Sequence, residues 1–250
     1  AYTVDASDTD GTVAISITAT DVAGNTTSGF TTISAGSVTV DQTAPASQKT
    51  QGVVTTGGDN QVAGYWNSGN TGVDITVPIA DDSSINGGTV QLLVSTDGGG
   101  SFVPLDTPST ISAVNTNKTI SVASGVLEGV AGFGESDVLQ FKATITDTSG
   151  NATTGTVSDT TLTVDQTAAT ISTSSIASDN ETVTLAKAGD TVTLTIATNE
   201  NVSSPTVTFT SGGAAATNAD TVSGASPGTS FTSAYTADAS DTDGTEATSI

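Results

Sequence analysis

The chain has 250 residues, with 26 acidic side chains against four lysines, no histidine, and a formal charge of −22. That balance repels nucleic acids and anionic membranes, whose phosphate contacts require Lys or Arg. It attracts hard cations such as Ca2+, and it serves equally as plain solubility in a salty medium. The lack of cysteine and histidine removes disulfides, thiolate and imidazole metal sites, and the Ser-His-Asp and Cys-His arrangements of nucleophilic catalysis.

In chain order, the first element is a duplicated one. Residues 1–17 read AYTVDASDTDGTVAISI and return at 234–250 as AYTADASDTDGTEATSI, differing where Val4, Val13 and Ile15 become Ala237, Glu246 and Thr248. Self-similarity of this kind marks an array of repeated units, so the chain reads as a slice of a longer repetitive protein. The acidic loop Asp5–Gly11, repeated as Asp238–Gly244, contains Asp-x-Asp-Gly but lacks the distant glutamate of an EF-hand. It reads as a calcium loop or as a plain turn between strands. Glu246 and Thr248 stand where Val13 and Ile15 face a core, which predicts a poorly specified last strand.

Next comes Thr20-Asp21-Val22-Ala23-Gly24-Asn25, matched later by Thr146-Asp147-Thr148-Ser149-Gly150-Asn151. Each ends in a Gly-Asn pair, as a hairpin does. Val40-Asp41-Gln42-Thr43-Ala44-Pro45 follows the first copy, and Val164-Asp165-Gln166-Thr167-Ala168-Ala169 follows the second. Pro45 cannot continue a strand ladder and reads as a stiff linker; Ala169 in its place predicts a looser joint. Tyr65 and Trp66 read as a core anchor, or else as an exposed contact for sugar or protein. Val73, Ile75, Val77 and Ile79 alternate with other residues, as do Leu139, Phe141, Ala143 and Ile145, and later Val192, Leu194 and Ile196. Period two predicts strands with one buried face. Gly98-Gly99-Gly100 between two such runs is a hairpin turn, without the Lys-Ser/Thr of a phosphate loop. No helical period is sustained, and no apolar run reaches the roughly 18 residues of a membrane helix.

These features predict an all-β fold in three pieces: residues 1–43, the last strands of one domain; 44–166, a complete domain; and 167–250, an incomplete one. Each complete domain has a normal size for a single core.

The pairing of T-D-x-x-G-N with a closing V-D-x-T-A-P resembles the immunoglobulin-like tandem repeats of giant bacterial surface proteins and calcium-dependent adhesins. Ala188 to Ile196, followed by Glu200-Asn201-Val202, resembles the second and third strands of such repeats. The resemblance implies tandem immunoglobulin-like β-sandwich domains in an elongated array. It also implies that the linker and the loops after the second strand and before the last strand gather at the end where the chain enters a domain. Asp41, Asp81, Asp82, Asp147 and Asn151 would then meet there, and Asp165 with Asn199 and Glu200 at the next junction. Separate loops supplying oxygen donors suit Ca2+, and related repeats hold calcium at their junctions. The competing reading is that Asp before Gly-Asn caps its own turn without a metal.

No enzyme is expected. Paired carboxylates can hydrolyse glycosides, but none here is flanked by an aromatic platform. The expected role is a non-catalytic repeat in the extracellular stalk or fibre of a surface adhesin, stiffened by calcium at its junctions. Its partners would be neighbouring repeats of the same chain and other copies in a fibre or lattice. The alternative is a self-assembling extracellular filament or surface-layer subunit; a third reading, glycan binding, requires Tyr65 and Trp66 to be exposed. Asn25, Asn117, Asn151, Asn180 and Asn201 fit the N-x-S/T glycosylation pattern, which so many threonines make common by chance.

Overall fold

Alternating apolar residues produce a chain that is nearly all β, 42% strand and 3% helical. The computed structural model describes residues 1–27, 29, 31, 36–58, 61–211, 214–216, 221–241, 244 and 247–249. Two compact units divide the chain, Ala1–Thr167 and Ala168–Ile250.

The first unit contains β1 (Gly11–Thr12), β2 (Thr39–Val40), β3 (Val53–Thr56), β4 (Tyr65–Trp66), β5 (Gly72–Ile79), β6 (Thr89–Ser95), β7 (Val103–Thr110), β8 (Thr116–Ala123), β9 (Val138–Thr146), β10 (Ala152–Thr154) and β11 (Leu162–Val164). One sheet has the order β3-β5-β8, and a second has β4-β11-β9-β6-β7, with β10 also pairing β9. Register follows the alternation. Ile75 lies opposite Val53 and Ile120, while Val90, Leu92 and Val94 lie opposite Ile145, Ala143 and Phe141. Side chains two apart share a face, so these residues turn inward together and form one core between the sheets.

Trp66 is fully buried in that core, and its indole Nε1 donates to Glu128 Oε1 at 3.0 Å. The polar handle of a buried indole is thereby satisfied. Its neighbour Tyr65 points the other way and is half exposed, as period two requires. Only the tryptophan acts as the expected anchor. Its strand is fixed by β11, which runs parallel to β4 with Val164 opposite Trp66 and antiparallel to β9 with Leu162 opposite Leu139. A short helix, α1 (Ser124–Leu127), connects β8 towards β9 and buries Leu127. The triple glycine forms the β6–β7 hairpin turn, with Gly98 at φ 71° and Gly99 at φ 103°, conformations that side chains rarely adopt.

In the second unit, β12 (Ile171–Ser178), β13 (Thr191–Val202) and β16 (Gly228–Thr236) form one sheet in the order β12-β13-β16. The other sheet, β15-β14-β17, contains β14 (Thr208–Ser211), β15 (Ala214–Ala215) and β17 (Ala247–Ser249). Its core gathers Val192, Leu194, Ile196, Phe209, Phe231 and Tyr235, with the Phe209 and Tyr235 rings stacked 5.8 Å apart. Glu246 lies outside the described residues. Thr248 pairs in β17 with Phe209 of β14.

Within the duplicated segment, residues 5–8 and 238–241 make the same turn. Asp5 accepts from Ser7 N at 2.8 Å and its own N–H donates to Asp8; Asp238 accepts from Ser240 N at 2.7 Å and its N–H donates to Asp241. Their surroundings differ. Tyr235 is 1% exposed in its core, whereas Tyr2 is 69% exposed and donates its hydroxyl to Asp8. An identical local sequence therefore takes its burial from what surrounds it.

Tyr235→Ala is expected to destabilise the second unit by about 3–5 kcal/mol, the range for removing a buried aromatic. Tyr2→Ala, an exposed substitution, should stay within about 0.5 kcal/mol. Hydrogen exchange of β13 and β16 amides reads the first effect. The lone Trp66, which reports on the first unit, should unfold unchanged by fluorescence in both variants.

Candidate functional site

The two T-D-x-x-G-N segments are the same structure, each built around an aspartate. Asp147 Oδ1 accepts from the backbone N–H of Ser149 and of Asn151, both at 2.9 Å, and Oδ2 accepts from Asn151 Nδ2 at 2.9 Å. Asp21 Oδ1 accepts from Ala23 N at 2.9 Å and Asn25 N at 2.8 Å, and its Oδ2 from Asn25 Nδ2 at 2.8 Å. Gly150 and Gly24 close the turns at φ 96° and 93°. Such Asx-centred bonding stabilises a turn through the side chain of its first residue. Asp147 is buried and Asp21 is exposed.

The expected junction cluster is brought together in part. Asp41 Oδ2 accepts from the Ser149 hydroxyl at 2.9 Å, and the Asp41 carbonyl accepts from Asn151 Nδ2 at 3.1 Å. Linker and turn are therefore tied by two bonds across more than a hundred residues of sequence. Pro45, a few residues further on, is buried. Asp82 is occupied otherwise. Its Oδ1 caps a single 3-10 turn, Ser83–Ile85, by accepting from Ser84 N at 2.9 Å. Asp81 is exposed beside it.

Each of Asp41, Asp82 and Asp147 thus holds N–H or O–H donors, and Asn151 turns its amide nitrogen, not its oxygen, towards Asp41 and Asp147. Among the described residues no group of three or more Asp, Glu, Cys or His side chains converges as a metal cage. As arranged, the donor set is that of a hydrogen-bonded joint, and a cation would have to displace those donors. Of the second expected cluster, Asp165 belongs to the first unit and Asn199 and Glu200 to the second. Asp165 N–H donates to the Trp66 carbonyl at 2.8 Å, and Asn199 Oδ1 accepts from Thr170 N at 2.7 Å. Glu200 lies on β13 with its Oε1 buried and without a hydrogen-bond partner.

Two participants escaped the sequence reading. Ser149 makes the link to Asp41, and its counterpart Ala23 cannot; the hydroxyls of Thr148 and Ser149, where the first copy has Val22 and Ala23, were the available signal. The glutamine of V-D-Q-T is the other. Gln42 N donates to Asp10 Oδ1 at 2.8 Å, and Gln166 N donates to Glu135 Oε2 at 2.9 Å. Gln166 also reaches Glu128, the partner of Trp66, with Nε2 at 2.8 Å. The closing motif anchors its strand to a carboxylate in both copies, a role that short-range spacing does not reveal.

Hydrogen bonds hold several carboxylates below their ordinary pKa. The Ser95 hydroxyl leads at Asp97, the Asn180 amide at Asp190 and the Asn25 amide at Asp21.

No family model matches the chain, and no curated protein matches it. Among solved structures, a marsupial T cell receptor shares 10% identity over 74% of this chain and 86% of its own, at a TM-score of 0.25, which carries no argument.

Asp147→Ala leaves three donors without their acceptor and is expected to cost about 2–3 kcal/mol, because hydrogen bonds to a charged group are the stronger kind. The same change at exposed Asp21 should cost clearly less. Urea unfolding followed by Trp66 fluorescence measures the first, and hydrogen exchange at Asn25 the second. A depressed folded-state pKa gives stability that is present above the unfolded value and lost as pH falls through the folded one. Stability should therefore hold from neutrality to the ordinary carboxylate range near about 4 and fall below it. Asp97→Asn should flatten that fall, a comparison that separates it from general relief of repulsion on acidification.

Proposed function

We propose that the chain is a non-catalytic structural segment of an extracellular stalk or fibre of a giant surface adhesin, built from tandem immunoglobulin-like β-sandwich domains. In this reading residues 1–43 close one domain, 44–166 form the next, and 167–250 belong to a third. The observation that carries it is the repetition of one device. β1 pairs β2 with Thr12 opposite Thr39, and Val13 N donates to the Val38 carbonyl. When the two T-D-x-x-G-N and the two V-D-Q-T motifs are superposed in sequence, this is the register in which β9 pairs β11, with Val138 opposite Thr163. Strand, Asp-centred turn, return strand and glutamine anchor thus occur twice in one chain, as an array requires.

The order of strands supports the immunoglobulin-like part. A β3-β5-β8 sheet faces a β4-β11-β9-β6-β7 sheet, with the first strand split so that β4 pairs parallel to the last. Facing antiparallel sheets with crossed connections are the plan of that fold. Trp66 is buried, and Tyr65 alone makes no aromatic platform for a glycan.

Load along such a stalk passes through the joint where Asp41 meets the Asp147 turn. Calcium belongs to the proposal as a ligand of Asp41, Asp81, Asp82, Asp147 and Asn151 at this joint, where it would displace their present donors, neutralise the carboxylates and stabilise the folded joint by mass action.

Pulling several copies of this chain, joined end to end, in a force microscope tests the mechanical reading. Each unit should unfold in a separate event releasing about 3.4 Å per residue; extension without resolved force peaks would overturn it. A melting temperature raised by millimolar Ca2+ over EGTA, and lost in an Asp41→Ala, Asp82→Ala double variant, is the expected outcome for calcium. Superimposable curves would remove calcium and leave the hydrogen-bonded joint.

A further inference from the structure

A β-sheet ends in strands whose outer N–H and C=O groups are open to pairing with another chain, so each edge needs a guard. In the first unit, one end of the sheet β4-β11-β9-β6-β7 is β7, where Pro104 and Pro108 remove donors and the register with β6 shifts between Val90 and Leu92. Its other end, β4, is two residues long. The sheet β3-β5-β8 ends on one side at β3, which has four residues. Its other end is different. β8 has eight residues, contains no proline and pairs β5 without a break from Thr116 to Ala123. Among the described residues no strand pairs its outer side.

The hydrogen bonds of β5 show which groups of β8 are open. Thr76 N donates to the Gly52 carbonyl at 2.9 Å, and its own carbonyl accepts from Gln51 N at 2.8 Å, so Thr76 is bonded towards β3. Its neighbours Ile75 and Val77 are then bonded towards β8, where they face Ile120 and Lys118. The backbone groups of Asn117, Thr119 and Ser121 therefore point away from the sheet, and the side chains of these three are exposed. Lys118, Ile120 and Val122 form the row on the core side. Val122 is buried and Ile120 packs against the core, and Val77, the residue opposite Lys118, is 1% exposed. A lysine is out of keeping with that row. It is one of four in the chain and the only charged side chain between Asp106 and Glu128. Lys49 pairs with Asp159 and Lys142 lies over the Phe102 ring, but among the described residues no carboxylate pairs with Lys118.

We infer that Lys118 guards the β8 edge, keeping this strand of one copy of the chain from pairing with the same strand of another. Antiparallel addition of a second β8 would use the open backbone groups of residues 117–121 and lay the two core-side rows next to each other. Ile120 and Val122 would gain apolar cover from that. The ammonium of Lys118 would be carried into the seam between the rows, losing water and meeting no carboxylate, because β8 contains none. An unpaired charge is costly to bury. On the solvated edge the same side chain lays its aliphatic stem along the margin of the core and keeps its head in water. No other charge can take over this role. The run from Thr107 to Leu127 is the longest in the chain without Asp or Glu, so the repulsion between carboxylates that holds copies apart elsewhere has no local source here. The inference concerns one sheet of one domain and does not depend on the stalk reading.

Sedimentation velocity of the whole chain, from micromolar to millimolar concentration, provides the test. Lys118→Val is expected to associate about tenfold or more tightly than the wild-type chain. Lys118→Glu, which keeps a charge of the other sign, should sediment as the wild type does. Thr119→Pro removes an outward N–H and none that β5 uses, so adding it to Lys118→Val should return association to the wild-type level. Trp66 fluorescence checks that each variant is folded. Hydrogen exchange gives a second reading: in Lys118→Val the amides of Thr119 and Ser121 should be protected at high concentration and not at low. The inference is overturned if Lys118→Val sediments as the wild type, if Lys118→Glu associates as Lys118→Val does, or if association leaves the Thr119 and Ser121 amides exchanging freely. The mechanical test of the stalk would stand in each case.

Discussion

Twenty-six carboxylates share four lysines in this chain, so ion pairing cannot satisfy them. The structure is organised around the alternative, a carboxylate that accepts backbone N–H groups within its own turn. Asp147 and Asp21 do this with the same bonds, Asp5 and Asp238 do it in the duplicated loop, and Asp82 does it at a helical cap. Asp97 uses the Ser101 N–H and hydroxyl to hold the β6–β7 hairpin. Negative charge that would otherwise oppose compaction instead fixes the chain reversals. The strands between them need only alternate.

That arrangement also explains how little the cores contain. With few aromatic residues available, each sheet pair closes over small β-branched and aliphatic side chains, with Trp66 and Phe141 in one core and Phe209, Phe231 and Tyr235 in the other. Thin cores of this kind depend on register, because a slip of one residue would turn every apolar side chain outward. The turns set the register, and the carboxylates set the turns. The joint between Asp41 and the Asp147 turn extends the same chemistry over a long stretch of chain, using the hydroxyl of Ser149 and the amide of Asn151.

Repetition supplies the remaining organisation. The same hairpin register, the same Asp-centred turn and the same glutamine anchor occur at β1–β2 and at β9–β11.

Much of this was legible in the residues alone. Alternation located β5, β9 and β13, the Gly-Asn pairs located the turns, and the triple glycine marked a hairpin, because these are local consequences of side-chain period and backbone freedom. The choice between turn former and metal ligand for Asp147 was not legible, since both use the same carboxylate; it depends on which donors the fold aims at it. Sequence distance hid the tie from Ser149 to Asp41 and the glutamine anchors to Asp10 and Glu135. The sharpest case is the tyrosine of the duplicated segment. Its sequence determined the turn that follows it, residues 5–8 in one copy and 238–241 in the other, because that turn is made of bonds between near neighbours. Whether the ring is buried, as Tyr235 is, or exposed, as Tyr2 is, was decided by tertiary structure alone, because burial requires a second sheet and no local sequence contains one.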